Sequence, residues 1–333
     1  MQVEPHTVHL SSGSFGSAGS TVSFLGSTVT RISHLARCFL RFRPSPGENG
    51  RFLKEDRGKG PTLVYGVRLK YTFRHAMLRR HLLPVLASSA ATANGRVPIR
   101  RAKVTRFFPS PEGHPNALEA TPEGLWVGEQ VSDIAYLLDW KTGKVLKKVP
   151  TESSNTSGMA YGGGYLWMGA NGGPLGRFPR PDEPRHGRIV KVDPEEGRTV
   201  GVYRIPDEGG VHGVLYADNA LWITCFKWNC IAKVDPNTFQ VLHKIPLHLS
   251  RPHGLAWDPP GIWVGYSNDH LFLKQDLKDG RILDIISVQK GVDPDPHGMD
   301  MYQGTMYYCD AGIVPGGTPV NTAHSGYIYR VDA

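Results

Sequence analysis

The sequence predicts an all-β fold, because one unit of short apolar strands and turns recurs from residue 116 to the end of the chain. Each copy has an aromatic anchor after a turn: Trp126, Trp167, Trp222, Trp263 and, in the fifth copy, Tyr307. Successive anchors are 41, 55, 41 and 44 residues apart. A period of about 40–50 residues with four short strands in each unit predicts a β-propeller.

A complete copy contains four strands, a to d in chain order. Strand b contains the anchor, and strand c ends in an Asp, whose side chain can bond N–H groups of the next turn. Strand d closes on Pro150, Pro206 or Pro246 in three copies, since Pro lacks a ladder donor and fits a strand end. The copies span residues 116–150, 157–206, 212–246, 253–288 and 297–332.

The fifth copy ends at Asp332, just before its strand d should begin. Residues 104–109 have the strand d pattern, including the closing Pro109. Because an unpaired edge would be a template for aggregation, we expect this N-terminal strand to complete the fifth blade and close the ring. Five blades are predicted; the alternatives are six or seven blades, with one hidden upstream, or an open stack.

The positive charge of the chain belongs to its first hundred residues. The formal net charge is +8, but residues 1–100 hold 15 Lys and Arg against 4 Asp and Glu. Residues 101–333 hold 23 against 26, which leaves the repeats slightly acidic. We therefore expect no binding of nucleic acid. All 7 Trp lie beyond residue 125, and residues 103–333 are predicted to form the propeller.

Two segments precede the repeats. Residues 1–76 have no steady period and are predicted to be a disordered or overlong N-terminal extension. Residues 77–93 have the features of a secretory signal: basic residues, a short apolar core and the small-residue motif Ala91-Thr92-Ala93. The alternative is a short helix or disordered chain. A signal would make the protein secreted or periplasmic, and no stretch is long enough to span a membrane.

The sequence contains 4 Cys, of which Cys38 lies in the N-terminal extension. Cys225 and Cys230 flank a predicted hairpin loop in the third copy, where opposed residues are close enough for a disulfide. Export would favour that bond, and two buried thiols are the alternative. No Cys-x-x-Cys pair is present, so a structural zinc site is not expected.

Three copies start strand a with His-Gly, at His212, His253 and His297, where the other two have Asn116 and Ser157. Strand a is the innermost strand of a propeller blade, so these residues should ring one mouth of the channel. Three neutral imidazoles could bind a divalent metal ion (Zn, Mg or Ca) and leave one position open for water or substrate. The alternative is a structural role, with each His bonded to a carbonyl group of the neighbouring blade.

The loops between strands b and c open on the same face. Glu129 and Asp310 lie at their starts and are candidate general bases, together with His253 as a catalytic residue. Two long insertions, residues 171–188 and 311–325, also belong to this face and should shape a binding site. The candidate substrate-binding residues are Asn171, Arg177, Phe226, Trp228, Tyr266 and His324. They suit a small polar molecule or a peptide, and for the Arg residues a solvated loop is the alternative.

The segment "PHGLAWDPPGIWVG", residues 252–265, with the Asp and Gly that follow, resembles the streptogramin lyase-like (virginiamycin B lyase-like) propellers. The resemblance covers about residues 103–332 and rests mostly on the blade pattern. It implies a metal-dependent elimination that opens a cyclic depsipeptide, with a His at the channel mouth. The matching positions, by repeat register, are His212, His253 and His297.

A second segment, "ALWITCFKWNCIAKVDP" at residues 220–236, resembles a hairpin of the five-bladed plant-type glutaminyl cyclases. Trp222, Trp228 and Cys230 are the matching residues. This resemblance implies an acyl transfer that cyclises an N-terminal Gln without a metal, with Glu129 as the acid/base.

These observations lead to three hypotheses. The first is an exported, monomeric propeller enzyme that uses a His-bound metal to eliminate or hydrolyse an ester, lactone or cyclic peptide-like substrate. The second is a glutaminyl cyclase-like enzyme that acts on N-terminal Gln peptides. The third is a non-catalytic propeller that binds a ligand or a protein, since a fold does not determine a function.

Overall fold

The computed structural model describes residues 97–181, 183, 186–314 and 318–333, and in these ranges every regular element is a strand. The strands are β1 (Ile99–Arg101), β2 (Lys103–Pro109), β3 (Pro115–Thr121), β4 (Gly124–Glu129), β5 (Ile134–Leu138), β6 (Val145–Pro150), β7 (Thr156–Gly162), β8 (Tyr165–Ala170), β9 (Arg188–Val192), β10 (Thr199–Arg204), β11 (Val214–Ala217), β12 (Ala220–Cys225), β13 (Cys230–Val234), β14 (Val241–Pro246), β15 (Pro252–Asp258), β16 (Gly261–Tyr266), β17 (Leu271–Asp276), β18 (Ile282–Ser287), β19 (Met299–Tyr302), β20 (Thr305–Cys309), β21 (Ile313–Val314), β22 (Thr318–Pro319) and β23 (Tyr327–Asp332).

The strands form five antiparallel blades. Blades one to four take β3–β6, β7–β10, β11–β14 and β15–β18 in chain order, and blade five has the order β19-β20-β23-β2. The first strand of each blade contacts the first strand of the next, and β19 contacts β3, so the inner strands make a closed ring. The predicted five-bladed propeller is confirmed.

Ring closure occurs at the predicted strand. β2 pairs antiparallel with β23, with Val104 opposite Val331 and Pro109 opposite Tyr327. The N-terminal segment also makes a pairing that the repeat pattern does not predict. β1 adds a parallel fifth strand to blade four along β18. An ion pair between Arg100 and Asp284, 2.6 Å long, holds that strand. The N-terminal segment therefore ties two neighbouring blades together.

The anchors lie between blades. Trp126, Trp167, Trp222 and Trp263 are each at most 4% exposed, and their spacing places them at equivalent positions. Trp126, for example, stacks on Tyr161 of blade two with ring centroids 6.4 Å apart. The Asp that follows strand c bonds the next turn, as expected: Asp139 Oδ1 accepts the Thr142 N–H at 2.8 Å. Local turn chemistry and packing between blades thus agree with the repeat.

Three details differ from the sequence prediction. β11 and β19 start at Val214 and Met299, two residues after the His that was expected to begin each strand. In blade three, the His212 N–H donates to Thr224 Oγ1 at 3.0 Å, which takes it out of the ladder. β10 ends at Arg204 rather than at Pro206.

The described Cys residues, including Cys225 and Cys230, are buried free thiols, so the thiol alternative holds and the disulfide does not. The predicted N-terminal extension and secretory signal, at residues 1–76 and 77–93, lie outside the described residues. Within the described ranges, no helix has the length and apolar character that crossing a bilayer requires.

Candidate active site at the channel mouth

The three predicted His residues meet at the channel mouth. The ring centroids of His212 and His253 are 4.1 Å apart, and those of His253 and His297 are 4.4 Å apart. His253 and His297 are each only 2% exposed. We call these three residues the His row. Its members come from consecutive blades, so the repeat register brings them together.

The Gly after each His allows this contact. A Cβ atom at Gly254 would lie 2.4 Å from the backbone nitrogen of Met299, and one at Gly298 would lie 2.5 Å from Ala117 Cα. Neighbouring inner strands therefore approach too closely for a side chain at this position. Because the two strands lie so close, the Gly254 N–H donates a hydrogen bond to the His297 carbonyl at 2.8 Å. The His-Gly dipeptide thus combines a packing requirement with the placement of an imidazole.

The imidazole nitrogens of the His row differ in their partners. His212 Nδ1 lies 3.1 Å from the Pro252 carbonyl, and His297 Nδ1 lies 3.1 Å from the Asp295 carbonyl. Because a carbonyl only accepts, both Nδ1 atoms donate and the Nε2 atoms are left as acceptors. Both ring nitrogens of His253, and Nε2 of His297, have no hydrogen-bond partner among the described residues.

Burial keeps the His row neutral. It lowers the pKa of His212 to about 3 and holds the pKa of His253 well below its ordinary value. The pKa of His297 is lowered for the same reason, although the charge of Asp310 opposes that shift. A carboxylate oxygen of Asp310 lies 3.6 Å from His297 Nδ1. His297 is therefore the imidazole whose protonated form is best stabilised.

The two predicted acidic residues have different surroundings. Glu129 accepts N–H groups of its own loop, from Val131 at 2.7 Å and from Ser132 at 3.3 Å. Burial nevertheless raises the pKa of Glu129 above its ordinary value. Asp310 accepts the Gly312 N–H at 2.8 Å and faces His297. Of the two, Asp310 is the carboxyl group that lies against the His row.

Blades one and two complete the mouth with groups that mostly bond one another, although Asn116 Oδ1 is buried without a partner among the described residues. Ser157 Oγ accepts the side-chain amides of Asn116 at 3.2 Å and Asn171 at 2.9 Å. Asn171 Oδ1 also accepts the Val211 N–H at 2.9 Å, which links blade two to blade three. Asp133, only 1% exposed, accepts Thr156 Oγ1 at 3.2 Å. We call Asn116, Asp133, Ser157 and Asn171 the bonded side.

The insertion of blade two is tied to the bonded side. Arg177 donates to Asp133 at 2.7 Å and also pairs with Glu183. Burial raises the pKa of Asp133 to about 6, against the opposing effect of Arg177. A Cβ atom at Gly176 would lie 3.3 Å from Val131 and 3.6 Å from Pro319, so this insertion reaches both blade one and the insertion of blade five. Arg177 serves here to hold a loop, with its guanidinium occupied by two carboxylates.

The predicted aromatic walls fall into three environments. Phe226 meets the edge of His212, with ring centroids 4.6 Å apart at 83°, and lines a cavity of about 360 Å³. Trp228 is 44% exposed, and the Lys244 ammonium lies over its ring, 4.5 Å from the centroid. Tyr266 is fully buried, and its hydroxyl bonds Gln275 Oε1 at 3.1 Å, so it packs in the core instead of lining the mouth.

His324, the last predicted substrate-binding residue, lies in the insertion of blade five. Its ring faces Tyr329 at a centroid distance of 6.3 Å, and its backbone carbonyl accepts the Tyr329 hydroxyl at 3.0 Å. These contacts place His324 against its own blade. Its role in binding a substrate stays a prediction.

The His row does not have the geometry of a metal site. A zinc ion bound by His needs nitrogens about 2.0–2.1 Å from one point. The His212 and His253 rings instead lie against each other, with centroids 4.1 Å apart and 32° between their planes. Within the described residues, no group of three or more His, Cys, Asp or Glu is arranged to hold an ion. The arrangement therefore does not support the predicted divalent metal, and no step below depends on one.

Two further polar features escaped the sequence analysis. Arg251 borders the cavity beside Phe226 and stands two residues before His253, so aligning a second ring of mouth positions could have found it. Glu119 and Asp300 are buried on the inner strands of blades one and five, and Asp300 Oδ2 accepts the Ala120 N–H at 2.7 Å. Burial raises the pKa of Asp300 to about 7 and that of Glu119 well above its ordinary value.

Comparison with known proteins gives matches of structure only. No family model matches the chain, and no curated protein matches it. Among solved structures, a glutaminyl cyclase from Myxococcus xanthus matches with a TM-score of 0.52 at 10% identity, over 71% of this chain and 98% of that chain. A streptogramin B lyase matches with a TM-score of 0.43 at 18% identity, over 69% and 97%.

A third solved structure, a protein of unknown function from Bacteroides caccae, matches with a TM-score of 0.43 at 14% identity, over 67% of this chain and 88% of that chain. Both kinds of propeller that the sequence resembles are thus found among the matching structures. At these identities, the likeness to the glutaminyl cyclase establishes a shared fold.

Proposed function

We propose that this protein is a propeller enzyme whose active site is the His row, and that it hydrolyses or eliminates an ester, lactone or cyclic peptide-like substrate. The observation that carries the proposal is His297: its Nδ1 side faces Asp310 and the Asp295 carbonyl, while Nε2 has no partner. An imidazole that is oriented through one ring nitrogen, here by the Asp295 carbonyl with the Asp310 carboxylate 3.6 Å away, and free on the other can accept a proton.

Burial of an unpartnered imidazole costs free energy, so its presence requires an explanation. An unsatisfied buried polar group destabilises a fold by about 1–3 kcal/mol. His253 has two such ring nitrogens beside His297, although an apolar residue of similar size would fill the same space. Native proteins retain such groups mainly where they act on something else.

The two imidazoles have complementary roles. His253 is neutral, so one of its ring nitrogens carries a proton. The neutral imidazole can therefore act as an electrophile by donating a hydrogen bond to the carbonyl oxygen of a substrate. His297 Nε2 removes a proton from water, whose oxygen then attacks the carbonyl carbon. Asp310 stabilises the imidazolium, which returns its proton to the leaving oxygen. In an elimination, His297 instead removes the proton from the carbon next to the carbonyl, a C=C bond forms, and the bond from the β-carbon to the leaving oxygen breaks, with the proton of the imidazolium available to that oxygen.

The test is turnover of a panel of aryl esters, lactones and cyclic depsipeptides by the wild-type protein, His253→Gln, His297→Gln and Asp310→Asn. We expect each variant to lose about a hundredfold or more in kcat. Ser157→Ala, at the register of the His row but on the bonded side, is the matched control and should stay close to wild type. Turnover should also survive treatment with a chelator.

A wild-type protein that turns over no member of the panel would contradict the proposal. So would a His297→Gln variant that retains its activity. Variants that lose turnover while keeping the wild-type unfolding curve would tie the loss to chemistry, because a folding defect would lower both.

A second candidate is acyl transfer that cyclises an N-terminal Gln. It is supported by the fold shared with a glutaminyl cyclase and by Glu129, a buried carboxyl group with a raised pKa. Incubation with a peptide that begins with Gln should then release ammonia, and Glu129→Gln should abolish the release. Absence of ammonia from the wild-type reaction would rule out this candidate. Hydrolysis or elimination, tested with the ester and lactone panel, would then remain as the proposed activity.

The proposal includes export as a monomer to the cell exterior or the periplasm. It is supported by the signal-like pattern of residues 77–93. Sequencing the N-terminus of the mature protein should show a start after Ala93. A mature protein that retains residues 77–93 would contradict export by this route.

A further inference from the structure

A cavity of about 360 Å³ adjoins the His row between blades three and four. Its walls include the apolar residues Phe226, Leu247, Leu249 and Pro252, together with Arg251. Two of these walls are also partners of His212: Phe226 meets its ring edge, and the Pro252 carbonyl lies 3.1 Å from its Nδ1. The cavity therefore adjoins His212, the first member of the His row, and its size suits part of a small molecule.

Arg251 is the cation of this cavity, and it is weakly engaged. Among the described residues, its side chain makes one polar contact, a 3.4 Å hydrogen bond to Asn268 Oδ1. Arg177, by contrast, pairs with two carboxylates. Burial is the main cause of the lowered pKa of each His in the row, and the positive charge of Arg251 lowers all three further. The charge of Arg251 thus acts on all three imidazoles of the His row.

The backbone at Arg251 adds a second argument. Its φ is 55°, in the left-handed region that costs free energy for a residue with a long side chain. The equivalent residue of blade two, Asn155, has the same φ of 55°, but Asn tolerates this conformation. Arg gains nothing from the backbone at this position, so the reason for its presence lies in its side chain.

We propose that Arg251 binds a carboxylate group of the ligand in this cavity, and hence that the substrates of the His row are carbonyl compounds that also carry a carboxylate next to an apolar group. A guanidinium presents paired N–H donors that match the two oxygens of a carboxylate. The apolar walls accept the adjoining acyl or aromatic part, while the carbonyl reaches the His row. As a statement about substrates, this inference rests on the proposed function; as a statement about binding, it does not.

The experiment uses a matched pair of probes, phenylacetate and phenylacetamide, which differ in charge but not in skeleton. Calorimetric titration of the wild-type protein should give about tenfold or more tighter binding of the carboxylate. Arg251→Gln should bind both probes equally, and Arg251→Lys should retain part of the preference. Arg198→Gln, which removes an exposed Arg of blade two, is the charge-matched control and should behave as wild type.

Equal affinity of the wild-type protein for the two probes would overturn the inference. So would a preference that survives Arg251→Gln, or no binding of phenylacetate at millimolar concentrations. Arg251 is half-buried and its side chain makes one long hydrogen bond, so Arg251→Gln should keep the wild-type unfolding curve.

A parallel measurement separates this inference from the proposed function. His297→Gln should keep the preference for phenylacetate, because the carboxylate contact does not involve its ring. If the preference depends on Arg251 but His297→Gln retains turnover, the binding site stands and the proposed chemistry fails. If turnover depends on His297 but Arg251→Gln does not raise the KM of carboxylate-bearing substrates, the chemistry stands and the inference fails.

Discussion

The two sides of the channel mouth treat their polar groups differently. On the bonded side, Ser157 accepts two side-chain amides, and Asp133 is held by Arg177 and Thr156. In the His row, both ring nitrogens of His253 are buried without a partner. The repeat places Ser157 and His253 at the same register of blades two and four. One position of the unit therefore serves two purposes.

The position of a residue in the repeat therefore does not by itself indicate its function. The repeat explains why side chains meet at the mouth, whichever residues stand there. What separates the two sides is how far the groups that meet satisfy one another: most of the bonded side is paired, with Asn116 Oδ1 as an exception, whereas His253 has no partner on either ring nitrogen. A satisfied group contributes to stability, whereas an unsatisfied buried group costs stability and is available to a ligand. The proposed chemistry therefore belongs to blades three to five.

The largest effect on stability is expected where the bonded side holds its insertion. Arg177→Met would leave Asp133 and Glu183 without their shared cation, so we expect a loss of about 2–4 kcal/mol in the free energy of unfolding. Denaturant titration at neutral pH measures it. The matched control is Arg198→Met, which breaks an exposed pair and should cost about 0.5 kcal/mol or less. Equal losses in the two variants would show that the pairing of the bonded side is not structural.

The seam where blades five and one meet should make stability depend on pH. Burial raises the pKa of Asp300 from 3.8 to about 7, so the folded state binds a proton more tightly than the unfolded chain. Its contribution is fully present below the unfolded pKa and is lost as the pH rises through the folded value, at up to about 1.4 kcal/mol per pH unit. Denaturant titration across this range should show the decline, and Asp300→Asn should make it shallower, with the rest due to the buried Glu119. An equally steep decline in that variant would assign the effect to other groups.

A smaller effect is expected at Asn171, which joins the bonded side to blade three. Asn171→Ala would remove the acceptor of the Val211 N–H and the donor to Ser157, at a cost of about 1–2 kcal/mol. His324→Ala, in the insertion of blade five, should change the free energy of unfolding by about 0.5 kcal/mol or less. Thermal unfolding of the two variants provides the comparison. A larger loss from His324→Ala would mean that the two insertions are held in another way.

The sequence was sufficient to predict those features of the fold that repeat from blade to blade. The anchors, the turns after strand c and the register of the His row follow from one unit, so the alignment of copies places His212, His253 and His297 side by side. Ring closure by residues 104–109 was also predictable, because the segment carries the pattern that the fifth copy lacks. Each of these rests on local chemistry that is copied from blade to blade.

Features that join different copies were not predictable. Arg177 comes from the insertion of blade two and Asp133 from the loop of blade one, and no sequence spacing links the two. Tyr266 was expected to form a wall of the binding site, but it ends β16 opposite Pro252, where its ring is buried in the core. The parallel pairing of β1 escaped for a related reason, since three residues carry no repeat signal.

The most direct test of the account measures turnover and stability together for His253→Leu, a substitution of similar volume. If His253 is present for chemistry, removal of its two unpartnered nitrogens should leave the free energy of unfolding unchanged or higher, while turnover of the ester and lactone panel falls by about a hundredfold or more. A variant that loses stability but keeps its activity would contradict the account and make the His row structural, like the bonded side.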